Sequence, residues 1–190
     1  MKISQLIFSL FISISIYPFF AFAENVPELL GEGSEGYRQG NYRAPVPATL
    51  TGATVIDVKA AHQLWKEGKP IFIDVLPRPP RPKNIQDPAK WKAPKRENIK
   101  GSVWLPNVGF GSLHPSFEDF YKRNLKRLTK DDKSRRVILY CLADCWMSWN
   151  AAKRAMSYGY TNVIWFPGGS TDWDAAGYPL EEKLPEEHQN

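Results

Sequence analysis

Short apolar runs recur along the chain, and polar or amphipathic stretches separate each run from the next. The runs are nearly uncharged and have the length of strands, which is typical of a buried parallel sheet; they lie at Thr54–Ile56, Pro70–Val75, Ile99–Leu105, Val137–Cys141 and Val163–Phe166. The amphipathic stretches predict helices at Val58–Glu67, Pro115–Leu128, Ser148–Tyr158 and Ser170–Ala176. This alternation predicts an α/β fold, with helices on both faces of an open parallel sheet.

The first 23 residues are typical of an export signal. Lys2 is their only charge, an apolar stretch runs from Leu6 to Phe20, and Ala21-Phe22-Ala23 has the small residues of a cleavage site. We therefore expect cleavage after Ala23, a periplasmic location and no association with a membrane after cleavage. An uncleaved membrane anchor is the alternative.

The composition supports one globular domain. The chain has 190 residues, of which 43% are hydrophobic and 13% aromatic, so it can bury a substantial core. These values exclude a wholly disordered chain and a coiled coil. Two cysteines are too few for a disulfide scaffold, and the net charge of +5 is modest.

Segments of distinct composition flank and interrupt the predicted domain, which extends over residues 51–182. Glu24–Leu50 contains four glycines and three prolines and is predicted to be an extended N-terminal arm. Residues 76–98 hold six of the 16 prolines and carry a net charge of +5. This Pro-rich basic insertion is either a solvated, semi-rigid loop or a rim that binds an anion or a partner. Residues 183–190 form a C-terminal tail, and nucleic acid is not an expected partner of an exported chain.

A loop with both cysteines follows the fourth predicted strand. It reads Cys141-Leu142-Ala143-Asp144-Cys145-Trp146-Met147 and leads into a helix. Ligands of parallel sheets bind beyond the carboxyl ends of the strands, and the amides at a helix start favour anions. We therefore expect a lowered pKa and nucleophilic chemistry at Cys141. The alternative is an inert cysteine at the end of a buried strand.

The neighbours of Cys141 allow both chemical and structural interpretations. Cys145 is either a resolving thiol that forms a redox pair with Cys141 or a small residue that fills the loop. Trp146 and Trp149 either pack in the core or offer a flat surface to an aromatic ligand.

Two acidic residues lie beside this loop. Asp74 ends a neighbouring strand, where a buried acceptor for loop amides is favoured over a general base. Asp144 is a candidate helix cap. A metal site is not predicted, because two cysteines without a nearby histidine offer fewer protein ligands than zinc requires. Covalent haem is not predicted either, because the chain has no C-x-x-C-H signature.

The chain from Thr51 to Glu182 resembles a rhodanese-like domain. The features that match are the strand Ile71–Val75, the step Ile99–Ser102, Cys141 at a strand end, Ala151-Ala152, Gly159-Tyr160 before Val163, Gly168-Gly169 before Trp173, and Ala176-Gly177-Tyr178-Pro179. The run CLADCW at 141–146 is also similar to the motif of the PQQ-dependent catabolism-associated CXXCW proteins. It has one residue more between its cysteines than that motif.

The resemblance implies roles for the loop. Cys141 attacks a sulfane sulfur donor and becomes a persulfide, and the backbone of the loop stabilises the anionic sulfur. The implied substrate-binding residues are Leu142, Ala143, Asp144, Trp146, Met147 and Asp74. Met147 takes the place of the arginine of the phosphatase-like branch, so phosphate chemistry is not expected. Because Asp144 is the only charge in the loop, thiosulfate sulfurtransferase activity is expected to be weak or absent unless the basic insertion folds over the site.

Two functional hypotheses follow. The first is an exported accessory protein of PQQ-dependent alcohol oxidation that uses persulfide transfer or thiol–disulfide cycling at Cys141 with Cys145. Its expected partners are a small sulfur compound or protein thiol and a periplasmic quinoprotein dehydrogenase or cytochrome. It binds no cofactor covalently and is associated with PQQ metabolism. The second is a non-catalytic module that docks a quinoprotein dehydrogenase, its electron acceptor or an anionic cofactor.

Overall fold

The computed structural model describes residues 36–87, 90–92 and 94–188. Its strands are β1 (Thr54–Val55), β2 (Ile71–Asp74), β3 (Arg96–Ile99), β4 (Val103–Trp104), β5 (Val137–Tyr140), β6 (Val163–Phe166) and β7 (Leu180–Lys183). Its helices are α1 (Val58–Glu67), α2 (Pro115–Thr129), α3 (Trp146–Ser157) and α4 (Gly169–Ala175). The predicted signal segment and the first part of the predicted arm lie outside the described residues. Within these residues, no helix has the length and apolar character needed to span a membrane.

Five parallel strands form the central sheet in the order β1-β6-β5-β2-β4. All four residues of β5 are buried between β6 and β2, which explains why this strand carries no charge. Asp74 lies opposite Tyr140, and Tyr140 lies opposite Phe166. These three strands therefore end at the same level, and the residues that follow them share one edge of the sheet. The predicted α/β fold is confirmed.

Alternate strand residues face two separate cores. Residues of α2 and α3 pack against one face, which includes Ile73, Leu139 and Trp165. Residues of α1 and α4 pack against the other, which includes Phe72, Ile138 and Ile164. The predicted placement of helices on both faces is therefore confirmed.

Local capping residues set the ends of α1. The Asp57 carboxylate accepts a hydrogen bond of 2.8 Å from the amide of Ala60. Gly68 ends the helix with a φ of 66°, a conformation that a side chain with a Cβ disfavours. The helix occupies the predicted residues because both signals lie next to it in the sequence.

The start of α3 differs from the prediction. The helix begins at Trp146, two residues before the predicted start at Ser148, and Cys145 is its N-cap residue. The suggested cap at Asp144 is therefore wrong, because this residue lies in the turn before the cap with a φ of 50°. The early start places Cys145 at the positive end of the helix dipole.

Strands β3 and β7 form a two-stranded antiparallel ribbon that the hydrophobic pattern does not predict. The single strand predicted over Ile99–Leu105 is wrong, because a turn with Gly101 at a φ of 83° separates β3 from β4. Strand β7 reads Leu-Glu-Glu-Lys and is only partly buried. Its partner β3 begins inside the basic insertion. Both strands are polar, so neither appears as an apolar run.

The described part of the arm, residues 36–50, packs along α3. The indole nitrogens of Trp146 and Trp149 donate to the carbonyls of Pro45 and Thr49 at 3.0 and 3.3 Å. Asn150 exchanges two hydrogen bonds with the backbone of Arg38, at 3.0 and 2.9 Å. Residues 36–50 contain no regular helix or strand, but side chains of α3 satisfy several of their backbone groups.

The buried carboxylate of Asp74 ties the ribbon to the sheet. Its Oδ1 accepts from the amide of Leu76 at 2.8 Å. Its Oδ2 accepts from Nε of Arg96 at 2.7 Å and from Nδ2 of Asn98 at 2.8 Å. Burial raises the pKa of Asp74, and the Arg96 cation opposes this effect by favouring the carboxylate. The Arg96 guanidinium also donates to Ser170 Oγ at 2.7 Å, so the cluster connects β2, the ribbon and α4.

Replacement of Arg96 tests this cluster. Arg96→Gln is expected to lower the free energy of unfolding by about 3 kcal/mol at neutral pH, because the Asp74 carboxylate remains buried without its cation. Folding raises the pKa of Asp74 above its ordinary value of 3.8. The protonated carboxyl therefore stabilises the folded state at pH values below 3.8, and this contribution is lost as the pH rises through the pKa of the folded state. The deficit of the variant is therefore expected to shrink as the pH falls.

Urea unfolding at neutral and acidic pH measures both effects. The control is Lys95→Gln, which removes an exposed ion pair with Glu182 from the same ribbon and is expected to change the free energy of unfolding very little. Equal losses in the two variants, or a deficit of Arg96→Gln that does not change with pH, would contradict the role of the buried pair.

Candidate functional site

Cys141 and Cys145 lie side by side at the carboxyl edge of the sheet. Cys141 directly follows β5, and Cys145 directly precedes α3. The Cys141 thiol donates a hydrogen bond to the sulfur of Cys145, with 2.7 Å between the two atoms. Both cysteines are free and buried. A disulfide bond of about 2.05 Å therefore requires only a small approach of the two sulfurs.

The loop that contains Cys141 and Cys145 is held by the start of α4. The amide of Ser170 donates to the carbonyl of Cys141 at 2.9 Å. Gly169 has a φ of 54°, and a Cβ there would lie 2.7 Å from the carbonyl carbon of Cys141. Glycine is needed at this position because it permits both the left-handed backbone and the close approach. Gly168-Gly169, which carries part of the sequence resemblance, thus supports the cysteine loop directly.

The loop amides do not all point towards the sulfurs. The amides of Leu142 and Met147 hydrogen-bond to Cys141 and Cys145, respectively. The amide of Ala143 instead donates to Thr171 Oγ1 at 3.1 Å. The amide of Trp146 donates to a carbonyl of the arm at 2.9 Å. The anion cradle implied by the resemblance is therefore present only in part.

Arg43 of the arm brings a positive charge to the loop. Its backbone forms an antiparallel bridge with Cys145. Its guanidinium donates to the carbonyl of Ala143 at 2.7 Å and hydrogen-bonds to the Cys145 side chain. No sequence pattern indicates this role of Arg43, because Arg43 and Ala143 are 100 residues apart in the chain. The basic insertion, which was the expected source of a compensating charge, contributes Arg96 on the other side of Cys141.

The two thiols have opposite acidities. The hydrogen bond from Cys141, the amide of Met147 and the cation of Arg43 together lower the pKa of Cys145 to about 6, although burial opposes them. Burial raises the pKa of Cys141, and the neighbouring Cys145 adds to this effect. The prediction of a lowered pKa at Cys141 is wrong, because its sulfur has lost water while the cation lies beside Cys145. Negative charge is therefore favoured on Cys145 over Cys141.

The predicted substrate-binding residues have different surroundings. Leu142 and Ala143 are half-buried, and Asp144 is exposed. Met147 is buried, and its backbone packs closely against Gly109. The first three lie on the same loop as the sulfurs, and Met147 lies in the first turn of α3.

Asp74 and Trp146 have structural contacts. Three donors saturate the carboxylate of Asp74, which supports the interpretation of a buried acceptor. The Trp146 ring is fully buried and lies edge-on to Trp149, with 5.4 Å between ring centroids. Arg38 covers the ring at 5.2 Å from its centroid. The packing interpretation therefore describes Trp146 better than that of a flat surface for a ligand.

The described residues contain no group of three or more His, Cys, Asp or Glu side chains that could hold a metal ion. What the arrangement offers is two adjacent sulfurs, one shared proton and a nearby cation. These groups can perform thiol chemistry.

Comparisons with solved structures found proteins of low sequence identity. The rhodanese-like domain of an Anabaena protein is 22% identical, with a TM-score of 0.45, and the match covers 71% of this chain and 86% of that one. A thiosulfate sulfurtransferase from Pseudomonas aeruginosa is 17% identical, with a TM-score of 0.48 and coverage of 70% and 21%. A protein from Bacillus halodurans is 20% identical, with a TM-score of 0.45 and coverage of 68% and 77%.

The comparison with curated proteins found no match. The family model of the rhodanese-like domain matches residues 56–176, which is more than half of the chain. This range begins just after β1 and ends just after α4, so it includes the other four parallel strands and the cysteine loop. The chain therefore belongs to the family of rhodanese-like domains.

Proposed function

We propose that this rhodanese-like chain is an exported thiol–disulfide protein that cycles between a dithiol and a disulfide at Cys141 and Cys145. The single observation that carries the proposal is the direct contact of the two sulfurs at 2.7 Å. The different acidities of the two thiols support separate roles, with Cys145 as the attacking thiolate and Cys141 as the resolving thiol.

The thiol–disulfide exchange conserves atoms and electrons without a cofactor. The Cys145 thiolate attacks one sulfur of a partner disulfide, a mixed disulfide forms, and the other partner sulfur leaves as a thiolate. Cys141 then releases its proton to solvent and attacks the Cys145 sulfur, and the second partner thiolate leaves as the internal disulfide forms. The chain loses two electrons and the partner disulfide gains them. The reverse sequence oxidises a partner dithiol.

The geometry favours this cycle over sulfur transfer. The outer sulfur of a persulfide on Cys141 needs space beside that sulfur, and the Cys145 sulfur occupies one side of it at 2.7 Å. It also needs inward-facing amides, but those of Ala143 and Trp146 bind Thr171 and the arm instead. An internal disulfide needs neither additional space nor an anion cradle.

Substrate access requires the arm to separate from the loop. Both cysteines are buried, and Arg43 pairs with the backbone of Cys145. The side chain of Arg43 is nevertheless exposed, so the arm forms a single layer between the sulfur pair and solvent. Local opening of residues near Arg43 is the shortest route by which a partner sulfur reaches Cys145.

Two further parts of the proposal rest on the sequence. Export is supported by the charge-poor apolar segment at residues 1–23 and its Ala-Phe-Ala end. A role as an accessory protein of PQQ-dependent alcohol oxidation is supported by the similarity of the CLADCW run to the CXXCW motif proteins. On this proposal the partner thiol or disulfide belongs to a quinoprotein dehydrogenase, its cytochrome or a small sulfur compound.

One observation favours a second candidate, a non-catalytic module that docks such a partner. Both sulfurs are shielded from water, as are many inert cysteines. In that case the loop is a structural support, and neither cysteine changes its redox state.

Cysteine variants distinguish the attacking thiol from the resolving thiol. After exposure to oxidised glutathione, the reduced wild-type chain is expected to lose two alkylatable thiols and gain no mass, because the internal disulfide releases glutathione. Cys141→Ser is expected to retain one glutathione, because the Cys145 thiolate still attacks but nothing resolves the product. Cys145→Ser is expected to remain unmodified. Mass spectrometry after alkylation measures all three outcomes.

Each serine variant is the matched control of the other, since both remove one thiol from the same pair. A gain of one sulfur atom from thiosulfate in the wild type would indicate sulfur transfer instead. If both wild-type thiols stay reduced and unmodified under all conditions, the non-catalytic module becomes the better description.

Replacement of Arg43 tests the source of the thiolate. In Arg43→Gln, the pKa of Cys145 is expected to rise from about 6 towards its ordinary value of 9.0, because the cation that favours the thiolate is gone. Arg43→Lys is expected to keep most of the lowering, since it retains the charge. The ultraviolet absorbance of the thiolate, followed against pH in the reduced chain, gives the midpoint.

The direction of the pKa shift of Cys145 determines how folding stability depends on pH. Folding lowers the pKa of Cys145, so its contribution to stability is present above the ordinary value and is lost as the pH falls through about 6. An unchanged midpoint in Arg43→Gln, or equal shifts in the Gln and Lys variants, would show that the cation does not act on this thiol.

A further inference from the structure

A cavity of about 710 Å³ lies between the basic insertion and the loop before α2. Its described lining residues are Arg78, Pro79, Pro80, Arg81, Trp91, Asn107, Phe110 and Phe117. The size is in the range of sites that hold one small organic molecule, about 300–1,000 Å³. Neither cysteine of the redox pair contributes to it.

The lining combines positive charge with aromatic surface. Arg78 and Arg81 supply two guanidinium groups, and Trp91, Phe110 and Phe117 supply three rings. None of the described lining residues is acidic, so the cavity wall itself offers no counter-ion. Guanidinium groups bind carboxylates through paired hydrogen bonds, and aromatic rings stack on flat apolar bodies.

Arg78 is held in place by its neighbours, and one hydrogen-bond donor of its guanidinium has no partner among the described residues. Its backbone amide donates to Oδ1 of Asn107 at 3.1 Å, which fixes the start of the insertion against the domain. Its guanidinium carbon lies 4.7 Å from the centroid of the Trp91 ring. Its Nε is shielded from solvent and has no hydrogen-bond partner among the described residues. A shielded donor without an acceptor is costly, and a bound anion removes that cost.

We propose that this cavity binds a small planar aromatic carboxylate. Its carboxylates pair with Arg78 and Arg81, and its ring lies among Trp91, Phe110 and Phe117. This assignment explains why the basic residues of the insertion are accompanied by aromatic ones at this place.

The cavity is open to solvent, and its volume of about 710 Å³ fits one small molecule. Its two arginines lie next to three rings, so one molecule that carries both a ring and carboxylates meets both kinds of group. The inference does not depend on the redox cycle, because the lining residues and the sulfur pair are different groups. Failure of one proposal therefore leaves the other unaffected.

Calorimetric titration of the full chain with naphthalene dicarboxylate tests the proposal. Two matched compounds separate the contributions: naphthalene dimethanol keeps the ring without the charge, and succinate keeps the carboxylates without the ring. The dicarboxylate is expected to bind at least about tenfold more tightly than either, because each lacks one of the two recognised features. The indole N–H resonance of Trp91, assigned by its loss in Trp91→Phe, is expected to shift with the dicarboxylate.

Charge-matched variants locate the site. Arg78→Gln and Arg81→Gln are each expected to weaken binding of the dicarboxylate about tenfold or more. Lys83→Gln removes the same charge from an exposed residue of the same insertion and is expected to change binding less than about twofold. Arg81 is exposed, so its variant remains informative if Arg78→Gln fails to fold.

Three results would overturn the proposal. The first is that the dicarboxylate binds no more tightly than naphthalene dimethanol or succinate. The second is that Lys83→Gln weakens binding as much as Arg78→Gln, which would indicate diffuse attraction by the insertion. The third is that only an acidic peptide containing phenylalanine binds and that Arg78→Gln abolishes this binding, which would assign the cavity to a protein partner.

Discussion

The backbone pairing of Arg43 with Cys145 sets the environment of both sulfurs. It excludes water from the pair and brings a guanidinium to the edge of the same loop. It also places the carbonyl of Tyr42 against the amide of Trp146, so this amide is not free for an anion. Burial disfavours charge on Cys141, and the cation favours it on Cys145. The hydrogen bond from Cys141 lowers the pKa of Cys145 most, and the Arg43 cation adds to this effect.

A series of hydrogen bonds that begins at the sheet holds the opposite side of the cysteine loop. Asp74 at the end of β2 binds Arg96, Arg96 binds Ser170, and the Ser170 amide binds the carbonyl of Cys141. Because these groups are largely buried, each depends on the next for its hydrogen bond. The rhodanese-like sheet thus fixes the first cysteine, whereas the arm surrounds the second.

The arginines of the basic insertion lie in two different surroundings. Arg96 turns inward, where the buried carboxylate of Asp74 balances it. Arg78 and Arg81 line the cavity with Trp91, and no acidic residue accompanies them in the described lining. Lys95 of the same segment pairs with Glu182 at the surface. The arginines therefore divide into one that forms a structural ion pair and two that line the cavity. Charge counted along the sequence does not distinguish the two.

The hydrophobic pattern predicts the buried strands, most helix positions and the placement of both cysteines on one loop. Strands buried on both faces exclude polar residues, so runs such as Val163–Phe166 are visible directly, whereas the polar ribbon strand Leu180–Lys183 is not. Which sulfur favours the thiolate depends on contacts that form only on folding. A pKa depends on burial and on nearby charge, and here the charge comes from Arg43, 100 residues from the loop carbonyl that it binds.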